Sequence, residues 1–460
     1  MSTDEDPPGG SLTRRVAMGA IGAGALGVAL WPRTPRSRQG IPSGRTVITY
    51  WEKWTGPEGE AVQRVVDWYN ESQDRVWVRR VPVSDIMSKA MVAIGGGDPP
   101  DVCGLYSYNV APFAEARAAM PLDEFASRPG EAMDAGAYVP SVRRLLSYQG
   151  KQWGGVTSVY ALALYYNRTR FREAGLDPER PPRTVAELDA VAERLFEKDA
   201  AGAITRAGFL QNLPEWWPYF WTIMFGGTLY DPQQNRAVLT DAATTRAYEW
   251  VGATARRVGR TAATRFANAY GRSYHSPEDP FISGRAAMIV QGPWIANFIG
   301  IYRPDLDYAA APVPVEGSIY DPQRPAGMVE ADILVIPRGC PHPDEAFAFV
   351  KWMQRPEVQA RLASEHGKSS PMATVPPGFY EKHPNKYVRV HEAITRSERV
   401  QILPQTRVWQ QYADMMLGMF QAVWSGKEAG PLLRDVEARA QELMNLAAAR
   451  GAERMKRGRA

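Results

Sequence analysis

The sequence has little cysteine, little histidine and no strong excess of one charge. Its 460 residues include two cysteines, Cys103 and Cys340, which allow at most one disulfide and exclude a zinc site of four thiolates. The five histidines are scattered without the i, i+4 spacing of a zinc-protease helix, so we expect no metal site. The formal net charge is +4 with dispersed basic residues, and no nucleic-acid partner is predicted.

The chain also lacks the usual motifs of catalysis and cofactor binding. There is no P-loop and no GxSxG motif. The stretch from Gly22 to Gly27 fits GxGxxG, but no strand precedes it and no ribose-binding carboxylate follows at the right distance. We therefore predict no cofactor and no catalytic residue. The acids near the suspected cleft, which are Glu52, Glu215, Glu330 and Asp332, fit hydrogen-bond acceptors better than the paired carboxylates of a glycosidase.

No apolar run is long enough for a confident membrane span, which needs about twenty residues. The longest one, residues 16–30, follows Arg14 and Arg15 and precedes a basic, proline-broken stretch. This layout predicts an export segment with a twin-arginine-like signal and a linker over residues 1–45, and hence a periplasmic or other extracytoplasmic location. An ordinary secretory signal stays open, as does tethering by an uncleaved signal, because no clear cleavage site is visible.

Beyond the export segment, strands alternate with helices. A chain of this length exceeds what one core supports, so two lobes are expected. Residues 46–51 predict a strand, residues 61–70 a helix, 76–81 a strand, 86–94 a helix and 99–106 a strand. This order predicts an α/β lobe with a largely parallel sheet.

The segment from Phe281 to Trp294, FISGRAAMIVQGPW, predicts a helix end, a short strand and an exposed tryptophan in succession. Phe281 and Ile282 are expected to close a helix face, and Gly284 to adopt a left-handed conformation. The apolar run 286–290 then predicts a buried parallel strand, after which Gly292 and Pro293 expose Trp294.

Several segments, in their order along the chain, resemble the extracellular solute-binding proteins of ABC importers, of the carbohydrate, maltose-binding class (family 1). They cover nearly the whole chain after residue 45 and read Tyr50–Trp51, Gly96–Val102, Gly150–Val156, Leu164–Arg168, Pro182–Leu188, Phe281–Trp294 and Ile333–Pro337. In the fifth of these, Thr184 and Glu187 also form a capping-box pattern for a helix through Leu195.

The resemblance implies a two-lobed periplasmic-binding-protein fold of type II, α/β, with a mainly parallel sheet flanked by helices in each lobe and a hinge between them. The implied crossings lie near 159–162, 329–332 and 386–391. Lobe one is then 46–159 plus 332–387, lobe two is 160–331 plus 388–449, and 450–460 is a basic tail. Both cysteines would lie in lobe one, where pairing and separate buried thiols are both open.

The ligand site is expected to consist of aromatic faces for sugar rings and polar groups for hydroxyls. Trp51, Glu52 and Trp54 follow the first strand and Tyr106 and Tyr108 follow the third, at the edge where open α/β sheets bind ligands. The resemblance adds further residues, which are Tyr160, Glu215, Trp216, Trp217, Trp294, Glu330, Asp332 and Trp409. Trp294 and Trp217 are expected to face Trp54 and Tyr106 across the ligand.

These observations predict a monomeric binding protein that captures a carbohydrate by hinge closure and delivers it to an ABC permease, without catalysis. Two alternatives stay open. One is a binding protein for a cationic or other small solute, such as a betaine or polyamine, held by cation–π contacts. The other is a secreted carbohydrate-active enzyme.

Overall fold

The structure is a computed structural model, and it describes residues 42–271 and 274–457. The predicted twin-arginine segment and the GxGxxG match therefore lie outside the described residues. Within the described part, no helix is both long enough and apolar enough to span a membrane.

The strands are Thr46–Glu52 (β1), Val76–Pro82 (β2), Val102–Tyr106 (β3), Ala119–Met120 (β4), Ser147–Tyr148 (β5), Lys151–Gln152 (β6), Gly155–Ala161 (β7), Ala163–Asn167 (β8), Glu197–Lys198 (β9), Ile204–Arg206 (β10), Tyr230–Asp231 (β11), Arg236–Ala237 (β12), Met288–Gln291 (β13), Tyr308–Ala311 (β14), Gly327–Pro337 (β15) and Val400–Ile402 (β16). The α-helices are Gly56–Ser72 (α1), Ile86–Gly95 (α2), Val110–Glu115 (α3), Asp123–Ala126 (α4), Pro140–Leu146 (α5), Arg168–Glu173 (α6), Val185–Leu195 (α7), Phe220–Met224 (α8), Ala242–Val258 (α9), Arg260–Tyr270 (α10), Ile295–Tyr302 (α11), Pro343–Met353 (α12), Pro356–Glu365 (α13), Val388–Arg396 (α14), Trp409–Trp424 (α15) and Ala429–Arg457 (α16).

The predicted alternation from residue 46 to residue 106 is confirmed as β1, α1, β2, α2 and β3. Strand β1 runs parallel to β2 and to β3. Apolar side chains at helical spacing on α1, among them Val62 and Val66, are fully buried against this sheet, which explains why the helix forms where the sequence places it. The third strand begins at Val102 rather than at the prolines before it.

Strand β15 lies between β3, which continues to β1 and β2, and the strands β7 and β16 of the large sheet. All of its residues are buried, and it pairs antiparallel with β3, β4 and β7 and parallel with β16. Its register sets Glu330 opposite Tyr160, and Asp332 opposite both Ser158 and Tyr106. The acids at the predicted second crossing are thus enclosed within the sheet.

The second sheet differs from its prediction. Strands β13 and β14 flank β8, and both pairings are antiparallel, so the parallel direction predicted for residues 286–290 is wrong. The chain enters β8 directly from β7, and β13 and β14 return against it through long connections that no local pattern reveals. The expected helix before Gly284 is also absent, since Phe281 and Ile282 lie in consecutive turns, whereas the left-handed conformation of Gly284 is confirmed by its φ of 79°.

Three further expectations concern local chemistry. The side chain of Thr184 accepts a hydrogen bond from Glu187 N at 3.2 Å, which confirms the predicted cap of α7. Cys103 and Cys340 are both buried and free, so the structure contains no disulfide between them. The residues predicted as a basic tail are, as far as Arg457, the end of α16.

Candidate functional site

Side chains from the loop after β1, from β7 and β15, and from the segment after α13 form an enclosed charged cluster. The two carboxylate oxygens of Asp332 each have a lysine: Lys53 Nζ lies 3.1 Å from Oδ1 and Lys368 Nζ 3.3 Å from Oδ2. The Ser158 hydroxyl also donates to Oδ2, and lies 3.2 Å from Lys368 Nζ. Burial opposes ionisation of Asp332, but the two ammonium groups outweigh it and hold the pKa of this carboxyl below its ordinary value.

The lysines have additional acidic partners. Lys53 Nζ lies 3.5 Å from Glu52 Oε1, and Lys368 Nζ lies 3.4 Å from Glu58 Oε1. Burial works against the charged form of Lys53, yet Asp332 and Glu52 raise the pKa of its ammonium group above the ordinary value. Every charge of the cluster is therefore compensated by the protein itself.

Glu330 lies two residues before Asp332 on the same strand and has a different environment. It is 3% exposed and accepts a hydrogen bond from the hydroxyl of Tyr160. Burial, assisted by the charge of Asp332 and opposed by the Tyr160 bond, raises the pKa of Glu330 to about 7. Its second oxygen, Oε1, has no hydrogen-bond partner among the described residues.

Aromatic rings surround the ammonium group of Lys368. Its Nζ lies 4.9 Å from the ring centre of Trp54, 5.8 Å from that of Trp294 and 5.9 Å from that of Tyr160. We call Trp54, Tyr160 and Trp294 the aromatic cage. Further aromatic rings continue the cage on two sides. Trp54 contacts Tyr106 with ring centres 6.4 Å apart, and Trp294 contacts Trp217 with ring centres 6.1 Å apart.

Several predicted site residues thus converge on one place. The end of β1 supplies Glu52 and Trp54, and the end of β3 supplies Tyr106, which stacks on Tyr108 with centroids 5.2 Å apart. The side chain of Glu52 is 0% exposed and accepts from the Tyr50 hydroxyl and from Lys53 N, so it shapes the loop after β1.

Other predicted site residues do not contact the cluster directly. Trp409 is 2% exposed and packs in the core with its ring centre 5.0 Å from that of Tyr219, so its expected ligand contact stays a prediction. Trp51 points to the other face of β1 and packs against the core. Trp216 is 40% exposed, and Glu215 beside it is exposed and accepts from Gln421 Nε2 at 3.1 Å.

Sequence reasoning missed Lys53, Ser158 and Lys368. Lys53 lies between two predicted residues, and its position after a strand could have identified it. Lys368 follows α13 at the left-handed Gly367, and nothing in its local sequence points to Asp332 or Trp54. Its place depends entirely on tertiary structure.

Buried polar groups without partners are a further feature of this region. Among the described residues, Trp294 Nε1, Gln291 Nε2 and both side-chain polar atoms of Gln211 have no hydrogen-bond partner. The segment before Gln211 runs beside β13, where Met288 N donates to Gly208 O at 3.0 Å. Because buried polar groups are normally hydrogen-bonded, such atoms are candidates for ligand contact.

The chain belongs to the bacterial extracellular solute-binding protein family, whose sequence profile matches residues 53–360. It is 25% identical over 339 residues to the maltotriose-binding protein of Pyrococcus abyssi (strain GE5 / Orsay). This match covers 71% of this chain and 66% of that protein. It is 24% identical over 417 residues to the sn-glycerol-3-phosphate-binding periplasmic protein UgpB of Rhizobium meliloti (strain 1021), covering 83% and 90%. With a UgpB of Yersinia pestis the match spans only 35% of that relative's length.

Solved structures show the same architecture. The protein CpMnBP1 with mannotriose bound superposes with a TM-score of 0.75 at 24% identity, over 86% of this chain and all of that one. The sugar-binding protein MalE of Xanthomonas citri superposes with a TM-score of 0.70 at 19% identity, over 87% and 98%. The fold is thus the two-lobed, type II periplasmic-binding-protein fold, α/β in class.

Proposed function

We propose that this chain is the extracytoplasmic substrate-binding component of an ABC importer, and that it captures a neutral sugar or oligosaccharide without chemical change. The observation that carries the proposal is the aromatic cage around the ion cluster. Sugar rings need flat apolar faces and a few fixed polar groups, and the cage supplies both. The maltotriose- and mannotriose-binding relatives support this ligand class.

Charge compensation favours a neutral ligand. Lys53 and Lys368 are paired with Asp332, Glu52 and Glu58, so neither ammonium group requires an anionic ligand. A phosphate, as bound by the UgpB relatives, would have to compete with these carboxylates.

The same contacts disfavour both alternatives. A quaternary ammonium ligand needs an aromatic cage free of other cations, whereas Lys368 already places its own ammonium group there. A glycosidase needs one acid to protonate the leaving group and a second to attack or activate water. Asp332 is engaged by two ammonium groups and a hydroxyl, which weakens it as a base or nucleophile.

The contacts also support capture by hinge closure. With the lobes at 46–159 plus 332–387 and at 160–331 plus 388–449, Lys368 and Trp54 belong to lobe one and Trp294 to lobe two. Their convergence corresponds to a closed arrangement, and a ligand that bridges both walls would favour this closed population. Export by the amino-terminal segment and recognition of the closed monomer by a membrane permease complete the proposal.

Calorimetric titration tests this function. Maltotriose, mannotriose, sn-glycerol 3-phosphate and glycine betaine are titrated into the purified protein, and each mixture is then analysed for products. We expect heat from a neutral saccharide and no turnover. Binding of betaine alone, binding of the phosphate ester alone, or hydrolysis of any saccharide would each overturn the proposal.

A further inference from the structure

A second recess lies away from the aromatic cage. It is a groove of about 1260 Å³, and none of Lys53, Trp54, Trp294, Asp332 or Lys368 lines it. One wall consists of the turn after α3, the end of α5 and the β5–β6 hairpin. The facing wall consists of residues around β11, the segment after β16 and the carboxyl-terminal part of α16. We call it the arginine groove, after Arg117, Arg144 and Arg407 in its lining.

These three arginines have no carboxylate partner. Among the described residues none of them forms an ion pair, although surface arginines elsewhere in the chain commonly do. Arg117 and Arg144 are exposed as whole residues, whereas Arg407 is half-buried. Arg144 donates from Nη2 to Val400 O at 2.9 Å, and burial lowers the pKa of its guanidinium group. A half-buried cation without a counter-charge, such as Arg407, is costly, and an anionic ligand would supply that charge.

The groove contains little negative charge of its own. Its only carboxylate among the lining residues is Glu115, which accepts a hydrogen bond from the Tyr148 hydroxyl. The lining therefore contains three arginines and one carboxylate, which is already hydrogen-bonded. Guanidinium groups bind carboxylates and sulfates through paired hydrogen bonds, which gives the groove both an attraction and a geometry for such groups.

The remaining lining is suited to a sugar backbone. Tyr148 and Tyr230 are half-buried aromatic residues, and Gln149, Asn235 and Gln401 contribute neutral amides. Rings cover the C–H faces of sugars, and amides pair with hydroxyls. The groove, at about 1260 Å³, has room for several sugar rings.

We propose that the arginine groove binds an acidic oligosaccharide, with its carboxylate or sulfate groups on Arg117, Arg144 and Arg407. This site is separate from the aromatic cage and goes beyond the import function. None of the cage residues lines the groove, so loss of acidic-saccharide binding in an arginine variant would not by itself count against the cage.

The test uses the purified protein and five probes: trigalacturonate, a heparin-derived tetrasaccharide, maltotriose, inorganic phosphate and an oligoglutamate peptide. We expect one or both acidic saccharides to bind, with affinity that falls as salt is raised, since exposed charges are screened. Arg407→Gln should weaken this binding about tenfold or more, the usual scale for a charge-assisted contact. The Arg407 side chain forms no hydrogen bond with the part of the chain that the structure describes, so this variant should remain folded. Arg144→Gln should act in the same direction, with its melting temperature checked because the bond to Val400 is lost.

Two controls define the outcome. Arg338→Gln removes a surface arginine that pairs with Glu124 at 3.3 Å outside the groove, and Trp294→Ala alters the cage. Both should leave acidic-saccharide binding unchanged. The proposal is overturned if no acidic saccharide binds, if the peptide binds and the saccharides do not, if Arg338→Gln weakens binding as much as Arg407→Gln, or if Trp294→Ala abolishes it.

Discussion

The ammonium nitrogen of Lys368 lies 3.3 Å from Oδ2 of Asp332, and the two side chains are 1% and 0% exposed. This pair connects the segment after α13 to the middle of β15. Because the same ammonium group lies among the rings of Trp54, Tyr160 and Trp294, the pair fixes both the charge and the shape of the proposed sugar site.

Removing this ammonium group should destabilise the protein. Lys368→Met leaves Asp332 with Lys53 as its remaining cation, and breaking a buried pair typically costs about 3–5 kcal/mol. We expect about 3 kcal/mol, measured as the free energy of urea unfolding. Lys351→Met is the matched control, because its pair with Glu131 is 34% and 45% exposed and should contribute less than about 1 kcal/mol.

A double variant tests whether the cost arises from the uncompensated carboxylate. Adding Asp332→Asn to Lys368→Met removes that charge, so the double variant should lose less stability than the sum of the single variants. Strict additivity would show that the two side chains act independently and would contradict this account.

Local sequence predicted only part of this site. The alternation β1, α1, β2, α2, β3 was predictable because the spacing of apolar residues and the Gly and Pro residues that end each element are local features. The aromatic loops were predictable too, because they come directly after predicted strands. Lys368 was not predictable, because its partners come from the loop after β1, from α1, and from β7 and β15. The core position of Trp409 depends likewise on Tyr219, which lies far away in the chain. The antiparallel direction of β13 depends on long connections rather than on its own residues.

Gly284 should resist substitution. Its φ of 79° lies in the left-handed region, where a Cβ atom is unfavourable, so Gly284→Ala should cost about 1–2 kcal/mol of unfolding free energy. Gly300 offers the matched control. It lies within α11 with nothing within 4 Å of an added Cβ, so Gly300→Ala should stabilise the protein by roughly 0.5–1 kcal/mol. Equal effects of the two variants would contradict the assignment of a required left-handed conformation.

Substitutions of Trp294 and Trp409 should differ in their effects: the first mainly on saccharide binding, the second mainly on the free energy of unfolding. Trp294→Ala removes one wall of the cage and should weaken saccharide binding by about one to a few kcal/mol, with a smaller effect on unfolding of the empty protein. Trp409→Ala creates a core cavity and should lower the unfolding free energy by about 3–5 kcal/mol. Calorimetric titration and urea unfolding of both variants provide the comparison. If Trp294→Ala destabilises the protein as strongly as Trp409→Ala while saccharide affinity is kept, Trp294 is a core residue.

Glu330 should make the protein less stable as pH rises. Its folded-state pKa is about 7, against an ordinary value of 4.5, so the folded protein binds the proton more tightly than the unfolded chain. The stabilisation from this proton is fully present below about pH 4.5, declines as pH rises toward 7 and is lost above it, a change on the order of 3 kcal/mol.

Glu330→Gln keeps an acceptor for the Tyr160 hydroxyl but cannot ionise, so its unfolding free energy should fall less between pH 4.5 and 8. Asp279, whose pKa burial raises to about 6, contributes a slope of the same sign, and Asp279→Asn measures that part separately. An unchanged slope in Glu330→Gln would show that Glu330 has an ordinary pKa in the folded protein.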